Sequence, residues 1–370
     1  MLTKIHLINF KCFQDQEITL RPLTLLTGLN GAGKSTILQS LLLLRQSFLQ
    51  GTIYDQGLSL NGDLIYLGTG QDLLNENSEN ENIGINLQLN NEEEISWIFG
   101  YDKSSDLLPI ISTNYSKQII SIFSDKFHYL SAERIGPRPY FNRSNYKVKQ
   151  QNNLGINGEY TTHFLSVYQN DFLKNKLLKH PNGVSENLKA QVDAWLSEIT
   201  PGTKVVIGDH TDMDIISLRY KFTSDRDISN TFRATNVGFG LTYTLPVLVS
   251  LLAAKPGTTL LIENPEAHLH PKGQSIIGKL MALAAMGGVQ ILVETHSDHV
   301  LNGIRLVIHG GQVNPEQVSI NYFTRREIQG KMIHYIENLK IDKNGRIDSW
   351  PEGFFDEWDK SLDQLLDITE

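Results

Sequence analysis

The apolar positions in the N-terminal part of the chain change from a two-residue period to a helical one. Alternation over residues 5–10 and 17–20 predicts two strands, and the uninterrupted apolar run at 23–27 predicts a buried strand. From residue 37 the apolar side chains recur at helical spacing until Gly51, which predicts a helix of about four turns. A strand-rich beginning therefore leads into one long helix.

The middle of the chain mixes strand and helix patterns. Short apolar or alternating runs predict strands at residues 64–67, 83–89, 94–99, 204–207 and 215–220. Residues 162–199 carry a helical pattern that breaks at 180–183, where proline and glycine occur. We interpret residues 73–235 as an inserted lobe that is β-rich at first and then helical.

The C-terminal half contains further apolar runs that end in polar residues. Residues 260–262 and 289–293 predict buried strands, and a long apolar helix is expected from residue 241. Near the end, residues 350–366 place aromatic and leucine side chains on one face and acids on the other. Such a segment either covers its own core or docks a partner.

Composition narrows the class of protein. The 370 residues carry a formal net charge of -8, which argues against a surface that is basic throughout and leaves nucleic-acid contact to a local patch. A single cysteine, Cys12, excludes an intramolecular disulfide. The beginning lacks the pattern of a signal peptide, and no run reaches the ~18 apolar residues of a membrane span. We expect a cytoplasmic protein without membrane association.

The first chemical motif is the glycine-rich segment at residues 28–36, which lies between a predicted strand and a predicted helix. Its pattern, G-x-x-x-x-G-K-[ST], lets backbone N–H groups and a helix N-terminus surround a phosphate. Lys34 is predicted to reach the β- and γ-phosphates, and the Ser35 hydroxyl to hold Mg²⁺. The predicted nucleotide-binding residues are Asn30, Gly31, Ala32, Gly33, Lys34, Ser35 and Thr36.

The remaining catalytic candidates follow later predicted elements. Gln71, just past the predicted strand at 64–67, is a candidate Mg²⁺ ligand or an ordinary loop residue. Glu263 ends a buried strand, where P-loop enzymes place the acid that holds Mg²⁺ through water. His296 follows another strand and is predicted to sense a γ-phosphate. A second glycine-led helix start contributes the predicted anion-binding residues Asn236, Gly238 and Gly240.

The order of these motifs resembles ATPases of the ATP-binding-cassette (ABC) type, in the branch that includes the SMC proteins, the RecF repair proteins and the OLD nucleases. The resemblance implies Walker A at 28–36, the signature at 236–240, Walker B at 260–263 and a switch histidine at His296. It implies an α/β fold, an ABC-ATPase head with an inserted β-rich and helical lobe. The expected divisions of the chain are 1–72, 73–235, 236–325 and 326–370.

Function is also implied by the resemblance, most closely to a bacterial subgroup whose genes often lie in defence neighbourhoods. We expect ATP and Mg²⁺ as cofactors, homodimerisation on ATP, and a switch that acts on a separate effector such as a nuclease or toxin. A DNA-maintenance ATPase like RecF or SMC proteins is the alternative. DNA-stimulated hydrolysis and salt-sensitive DNA binding would distinguish it from the switch.

This sequence departs from the motif pattern at two positions. Asn236 stands where SMC signatures have serine, and Asn264 stands where a carboxylate usually follows the Walker B acid. An amide orients water by hydrogen bonding but cannot accept a proton as a carboxylate does. Glu266 is therefore our candidate for polarising the attacking water, and we expect slow turnover.

Two side-chain clusters give alternative interpretations. A proline-punctuated loop interleaves aromatic residues with cations, which suits nucleic acid, a solvated basic loop, or an arginine that completes a nucleotide site. The cations in that loop are Arg134, Arg138, Arg143, Lys147 and Lys149. Histidines at 268, 270, 296 and 299 also raise a zinc hydrolase as a rival class. The intact phosphate-loop pattern favours the ATPase.

Overall fold

The computed structural model describes residues 1–90, 92–117, 120–224, 228–328 and 330–366. Its helices are α1 (Lys34–Gln50), α2 (Thr161–Tyr168), α3 (Leu188–Ile199), α4 (Phe239–Ala253), α5 (Pro271–Met286), α6 (Asp298–His309) and α7 (Glu357–Leu366). Its first eight strands are β1 (Leu2–Phe10), β2 (Phe13–Thr19), β3 (Leu23–Gly28), β4 (Gly57–Ser59), β5 (Asn82–Leu89), β6 (Glu94–Gly100), β7 (Leu107–Thr113) and β8 (Phe127–Leu130). The others are β9 (Phe141–Asn142), β10 (Thr203–His210), β11 (Ile215–Phe222), β12 (Phe232–Arg233), β13 (Thr259–Glu263), β14 (Gln290–Glu294), β15 (Val318–Ile328) and β16 (Lys331–Leu339).

A central sheet positions the candidate site. Its strand order is β16-β15-β3-β14-β13-β8, and all of its pairings are parallel except that of β15 with β16. Because the carboxyl ends of parallel strands meet at one edge, β3, β14 and β13 deliver Gly28, Glu294 and Glu263 to the same edge. Glu263 and Glu294 are directly paired in register.

The central strands are buried on both faces, and alternate side chains enter different cores. In β13, Leu260 and Ile262 join one core while Leu261 joins the other. One core holds α3 to α6, and the other holds α1 together with a second sheet of order β2-β1-β5-β6-β7-β4. Burial on both faces explains why these strands read as continuous apolar runs.

A third, smaller sheet is formed by β9 to β12, with β10 and β11 as its main antiparallel pair. The segment 73–235 is thus shared among all of the sheets: β5 to β7 extend the sheet of β1 and β2, β8 lies at the edge of the central sheet, and β9 to β12 form the third. The expected boundary at 325 falls inside β15.

Most predicted elements near the phosphate loop are confirmed, but the predicted strand at 64–67 is wrong. The helix α1 ends at Gln50, as its periodicity indicates. Residues 64–67 instead form a loop whose N–H groups bond to side chains. Gln46 Oε1 accepts from the N–H groups of Leu64 and Ile65, and Asn61 Oδ1 accepts from that of Leu67. Apart from an isolated bridge between residues 61 and 66, these amide side chains take the place of the neighbouring strand that the pattern suggested.

The C-terminal segment packs against its own chain. The Phe354 ring is buried and meets Tyr322 edge-on, with 5.4 Å between ring centroids. Leu365 and Leu366 on α7 remain exposed. The described helices include none of the length and apolarity required to cross a bilayer.

Candidate functional site

The phosphate loop turns tightly because its glycines adopt conformations that other residues rarely reach. Gly28 has φ +128° and Gly33 has φ +106°. A Cβ atom at Gly33 would lie 2.6 Å from the Phe13 ring and 2.7 Å from Cys12 Sγ. The loop is thus held against the β1–β2 turn. His334 Nδ1 lies 3.1 Å from the Ala32 carbonyl oxygen on another side.

Lys34 begins α1 and folds back over the loop that precedes it. Its Nζ donates to the carbonyl oxygens of Gly28 at 3.0 Å and Leu29 at 2.8 Å. Burial lowers the pKa of Lys34, and the nearby Glu294 charge opposes that change. The cation therefore lies where a bound phosphate is expected.

Ser35 contacts an acid that the sequence analysis did not single out. Its Oγ donates to Glu294 Oε1 at 3.1 Å. Burial raises the pKa of Glu294, while the Ser35 hydrogen bond acts in the opposite direction. The other oxygen, Oε2, is buried and has no hydrogen-bond partner in the described part of the chain.

Glu263 lies at the predicted edge and is held by β8 and the loop that follows it. Its Oε1 accepts from the Tyr129 hydroxyl at 3.0 Å, and its Oε2 accepts from the Ala132 N–H at 3.1 Å. Burial, and then the Glu263 charge, raise the pKa of Tyr129. The phenol therefore stays protonated and donates.

Arg134 belongs to this site and not to an outer basic surface. Its side chain is buried, and Nη1 donates to the carbonyl oxygens of Ser131 at 3.0 Å and Glu263 at 2.7 Å. Its Nη2 donates to the carbonyl oxygen of Asn264. The prediction that Arg134 contacts nucleic acid is wrong, because the side chain is buried and both of its Nη groups donate to carbonyl oxygens inside the protein.

The residues after β13 reach across to the end of β14. Asn264 has φ +43°, and its N–H donates to the Glu294 carbonyl oxygen at 2.8 Å. Glu266 accepts from Thr295 Oγ1 and from the His296 N–H, both at 2.8 Å. The loop that carries the predicted water-polarising groups is therefore fixed to the strand end that carries His296, the predicted switch histidine.

His296 lies beside the phosphate loop with its side chain exposed. Partial burial lowers the pKa of His296, the Lys34 charge adds to this effect, and Glu266 opposes it. A cavity of about 310 Å³ joins His296 to Thr27, Gly28 and Leu29, and the C-terminal segment forms its other wall. A neutral imidazole at pH 7 thus borders the space next to the loop.

The signature segment lies on the surface at the start of α4. Asn236 and Gly238 are exposed. Phe239 packs on His268, with 5.0 Å between ring centroids, and a Cβ atom at Gly240 would lie 2.4 Å from the His268 carbonyl oxygen. This segment therefore contacts the loop after β13 and presents its glycine-rich start to solvent.

The structure does not add Gln71 to the phosphate site. Gln71 is exposed on a 3-10 turn, its N–H donates to the Lys103 carbonyl oxygen, and the strand predicted to precede it is absent. Within the described ranges, no hydrogen bond joins Gln71 to the phosphate loop. The strand-end argument for Gln71 as a metal ligand is wrong.

The remaining cations of the basic loop differ in their surroundings. Arg138 and Lys149 are exposed, and Lys147 is half-buried. Arg143 Nε lies 3.3 Å from Asp209 Oδ1 and is thus neutralised within the protein. A free basic surface is consequently limited to three of the five cations.

The histidines considered for zinc have other contacts. His268 packs on Phe239 and Tyr243, and His270 caps α5 by accepting from the Lys272 N–H. In the ranges that the structure describes, no three His, Cys, Asp or Glu side chains converge as a metal group would require. The oxygen donors Ser35, Glu263 and Glu294, by contrast, match the hard oxygen chemistry that Mg²⁺ prefers.

A family model described as "AAA domain, putative AbiEii toxin, Type IV TA system" matches residues 23–302. A second model, "Protein of unknown function (DUF3696)", matches residues 313–365. The OLD nuclease of Thermus scotoductus is 46% identical over 41 residues, which are 11% of this chain and 8% of that protein. The matched segment therefore spans only a small part of this relative.

Solved structures of SMC heads resemble the whole chain. An SMC head bound to the C-winged helix domain of ScpA is 14% identical, covers 92% of this chain and 98% of its own, and gives a TM-score of 0.54. The Pyrococcus furiosus SMC head with an extended coiled coil, bound to the C-terminal domain of ScpA, is 13% identical. It covers 98% of this chain and 99% of its own, with a TM-score of 0.51. The predicted ABC-ATPase head fold is confirmed.

Proposed function

This chain belongs to the AAA-domain family whose model matches residues 23–302, and from that premise we propose that it binds and slowly hydrolyses ATP with Mg²⁺. One observation carries the proposal. Lys34 and Ser35 meet the carboxylates and the histidine at the common edge of β3, β14 and β13. This arrangement supports phosphoryl chemistry because cation, hydroxyl and acid are brought together.

Each side chain has a proposed role in the reaction. The loop N–H groups and Lys34 bind the phosphates; the Ser35 hydroxyl would hold Mg²⁺ and Glu263 would hold it through water, and the cation would neutralise charge on the phosphate oxygens. Glu266 polarises the attacking water, with Asn264 orienting it. Glu266 suits this role because its two hydrogen bonds fix the carboxylate next to His296. His296 then senses the γ-phosphate.

We further propose that ATP closes two copies of the chain around composite sites. The exposed position of Asn236 and Gly238 supports this, since a signature start that faces solvent is free to meet the phosphate loop of a second copy. Closure would act on a separate effector in anti-phage defence. The toxin-system description of the family and the name of the OLD nuclease relative support an effector role.

The test compares ATP hydrolysis by the wild type, Glu266→Gln, and the surface control Glu316→Gln. Loss of a general base typically lowers a rate by about 10²- to 10⁴-fold, so we expect Glu266→Gln to fall in that range and Glu316→Gln to match the wild type. Nucleotide binding and the melting temperature should persist in both variants. If Glu266→Gln hydrolyses ATP at the wild-type rate, Glu266 does not polarise the attacking water, and that role is assigned to Asn264 instead.

The same preparations discriminate the alternative, a DNA-maintenance ATPase. Two observations support this alternative: the fold resembles an SMC head, and the cations Arg138 and Lys149 are exposed. Hydrolysis is measured with and without duplex and single-stranded DNA at low and high salt. Rates that DNA does not change support the effector switch, whereas salt-sensitive stimulation by DNA supports the alternative.

A further inference from the structure

The Ser35 hydroxyl contacts Glu294, an acid that lies outside the sequence motifs. The Ser35 hydroxyl donates to Glu294 Oε1 at 3.1 Å. Sheet order explains the contact: β14 lies directly beside β3, while β13 lies one strand further away. Glu294 is therefore placed between the phosphate loop and the Walker B acid Glu263.

The two carboxylates differ in how fully they are bonded. Both oxygens of Glu263 accept from protein donors, namely Tyr129 at 3.0 Å and Ala132 at 3.1 Å. Glu294 is only 8% exposed, and its Oε2 has no hydrogen-bond partner within the described residues. A buried carboxylate oxygen without a partner costs free energy, so it is poised to accept a ligand.

We propose that Glu294, together with Ser35, holds the divalent cation of the nucleotide complex, an inference that rests on the proposed ATPase function. A carboxylate and a hydroxyl are the oxygen donors that Mg²⁺ prefers. Before the cation arrives, the Glu294 carboxylate stands beside Ser35 at the start of α1, next to the loop that is proposed to bind the phosphates. Glu294 therefore makes triphosphate binding conditional on the cation, because the carboxylate repels the phosphates unless the cation lies between them.

The test is a titration of a fluorescent, non-hydrolysable ATP analogue into the full chain, in EDTA and at increasing Mg²⁺. We compare the wild type, Glu294→Gln and the exposed control Glu316→Gln. In Glu294→Gln we expect an affinity in EDTA that is equal to or tighter than that of the wild type. We also expect the Mg²⁺ concentration for half-maximal binding to rise about tenfold or more, since a metal ligand is lost.

Other results overturn the inference. A wild-type Mg²⁺ response in Glu294→Gln excludes Glu294 from the metal site, and equal weakening in EDTA and Mg²⁺ assigns it a structural role only. Glu294→Asp separates charge from hydrogen bonding, because Gln keeps an acceptor for Ser35 while Asp keeps the carboxylate. The proposal requires Asp to retain more of the Mg²⁺ response than Gln does.

A measurement that does not alter Glu294 covers the case in which its variants fail to fold. Glutamate labelled with ¹³C at the side-chain carboxyl carbon is incorporated into the Glu263→Gln/Glu266→Gln protein, in which Glu294 is the glutamate left at the site, and Mn²⁺ with a nucleoside diphosphate is added. A ¹³C coupling to Mn²⁺ supports Glu294 as a ligand, and its absence overturns the proposal. Wild-type protein that binds no nucleotide at all would instead overturn the proposed function, and this inference with it.

Discussion

Arg134 is the side chain that satisfies the carbonyl groups where β8 and β13 end. It donates to the carbonyl oxygens of Ser131, Glu263 and Asn264 from a buried position. Arg134→Met should lower the free energy of unfolding by about 2–4 kcal/mol, because these buried acceptors lose a charged donor. Urea denaturation measures the change. The exposed Arg138→Met is the control and should stay within about 0.5 kcal/mol of the wild type.

Gly33 and Gly31 provide a matched pair in the phosphate loop. Both have positive φ, but a Cβ atom at Gly33 would meet Phe13 at 2.6 Å, whereas at Gly31 the nearest atom, on Arg325, is 3.5 Å away. Gly33→Ala should therefore abolish binding of the ATP analogue, while Gly31→Ala adds backbone strain of only about 1–2 kcal/mol. Isothermal titration checks both affinities. Equal losses of affinity in the two variants would show that backbone strain, and not the contact with Phe13, causes the loss of binding.

The site residues that could be identified from the sequence lie within one short motif, whereas the residues that were missed depend on contacts with residues far away in the sequence. Lys34 and Ser35 follow from a motif whose spacing alone defines the loop. Glu294 and Tyr129 acquire their roles from strand order, since their partners Ser35 and Glu263 are distant in sequence. For Arg134 the sequence left nucleic-acid contact, a solvated loop and a place in the nucleotide site open, because sequence composition does not reveal burial.

Among the elements, α5 and α6 approach each other backbone to backbone. A Cβ atom at Gly278 would lie 2.1 Å from the Val300 carbonyl oxygen, and one at Gly303 would lie 1.9 Å from that of Ser275. This contact joins the helix that follows the Glu266 loop to the helix that follows His296. Close packing of α5 on α6 therefore fixes the position of the Glu266 loop relative to the loop that carries His296.

Gly278→Ala and Gly303→Ala should each lower the free energy of unfolding by about 3 kcal/mol, since the helices must separate to admit a methyl group. Gly310→Ala is the matched control, because φ at Gly310 is -72° and its nearest Cβ contact is 3.4 Å. Thermal and urea unfolding report the difference. A large effect at Gly310 would contradict the explanation from helix contact.

The helix α2 carries a histidine that should make stability depend on pH. His163 is buried, and its Nδ1 accepts from the Ser144 N–H at 3.1 Å. Burial and the Arg143 charge lower the pKa of His163. Below the unfolded-state pKa of about 6.5, the unfolded chain binds the proton more tightly than the folded one, so stability falls as pH decreases.

We expect His163→Gln to flatten this pH dependence, because the amide oxygen accepts from Ser144 without titrating. The free energy of unfolding is measured by urea denaturation from pH 7.5 to 5.5 for the wild type and the variant. The difference between the two proteins should shrink as the pH falls. A constant difference across that range would exclude His163 as the source.

At the level of elements, uninterrupted apolar runs predicted the central strands well. Strands that are buried on both faces carry apolar side chains at every position, as at residues 260–262. The loop at 64–67 has a similar apolar run but forms only an isolated bridge between residues 61 and 66, and the side chains of Gln46 and Asn61 accept from several of its N–H groups. Periodicity cannot distinguish these cases. The pairing of β5 with β1, which places part of 73–235 in the N-terminal sheet, likewise depends on contacts distant in sequence.

For the molecule as a whole, Gly238 tests the proposed composite site. A Cβ atom at Gly238 meets nothing within 4 Å, whereas one at Gly240 would lie 2.4 Å from the His268 carbonyl oxygen. Gly238→Asp should therefore leave the isolated chain folded and block the surface that a second copy would use. Lys34→Ala removes the phosphate-binding cation from the phosphate loop, which is the other half of the proposed composite site. Each variant alone should lack hydrolysis.

Mixing the two variants distinguishes a shared site from one contained in a single chain. A mixed dimer keeps one intact site, formed by the phosphate loop of the Gly238→Asp copy and the signature of the Lys34→Ala copy. With equal amounts, half of the dimers are mixed, so hydrolysis should recover to about a quarter of the wild-type rate. Recovery is followed by phosphate release at constant total protein. If the mixture stays inactive while both variants remain folded, each chain completes its own site, and ATP-driven dimerisation through the signature is refuted.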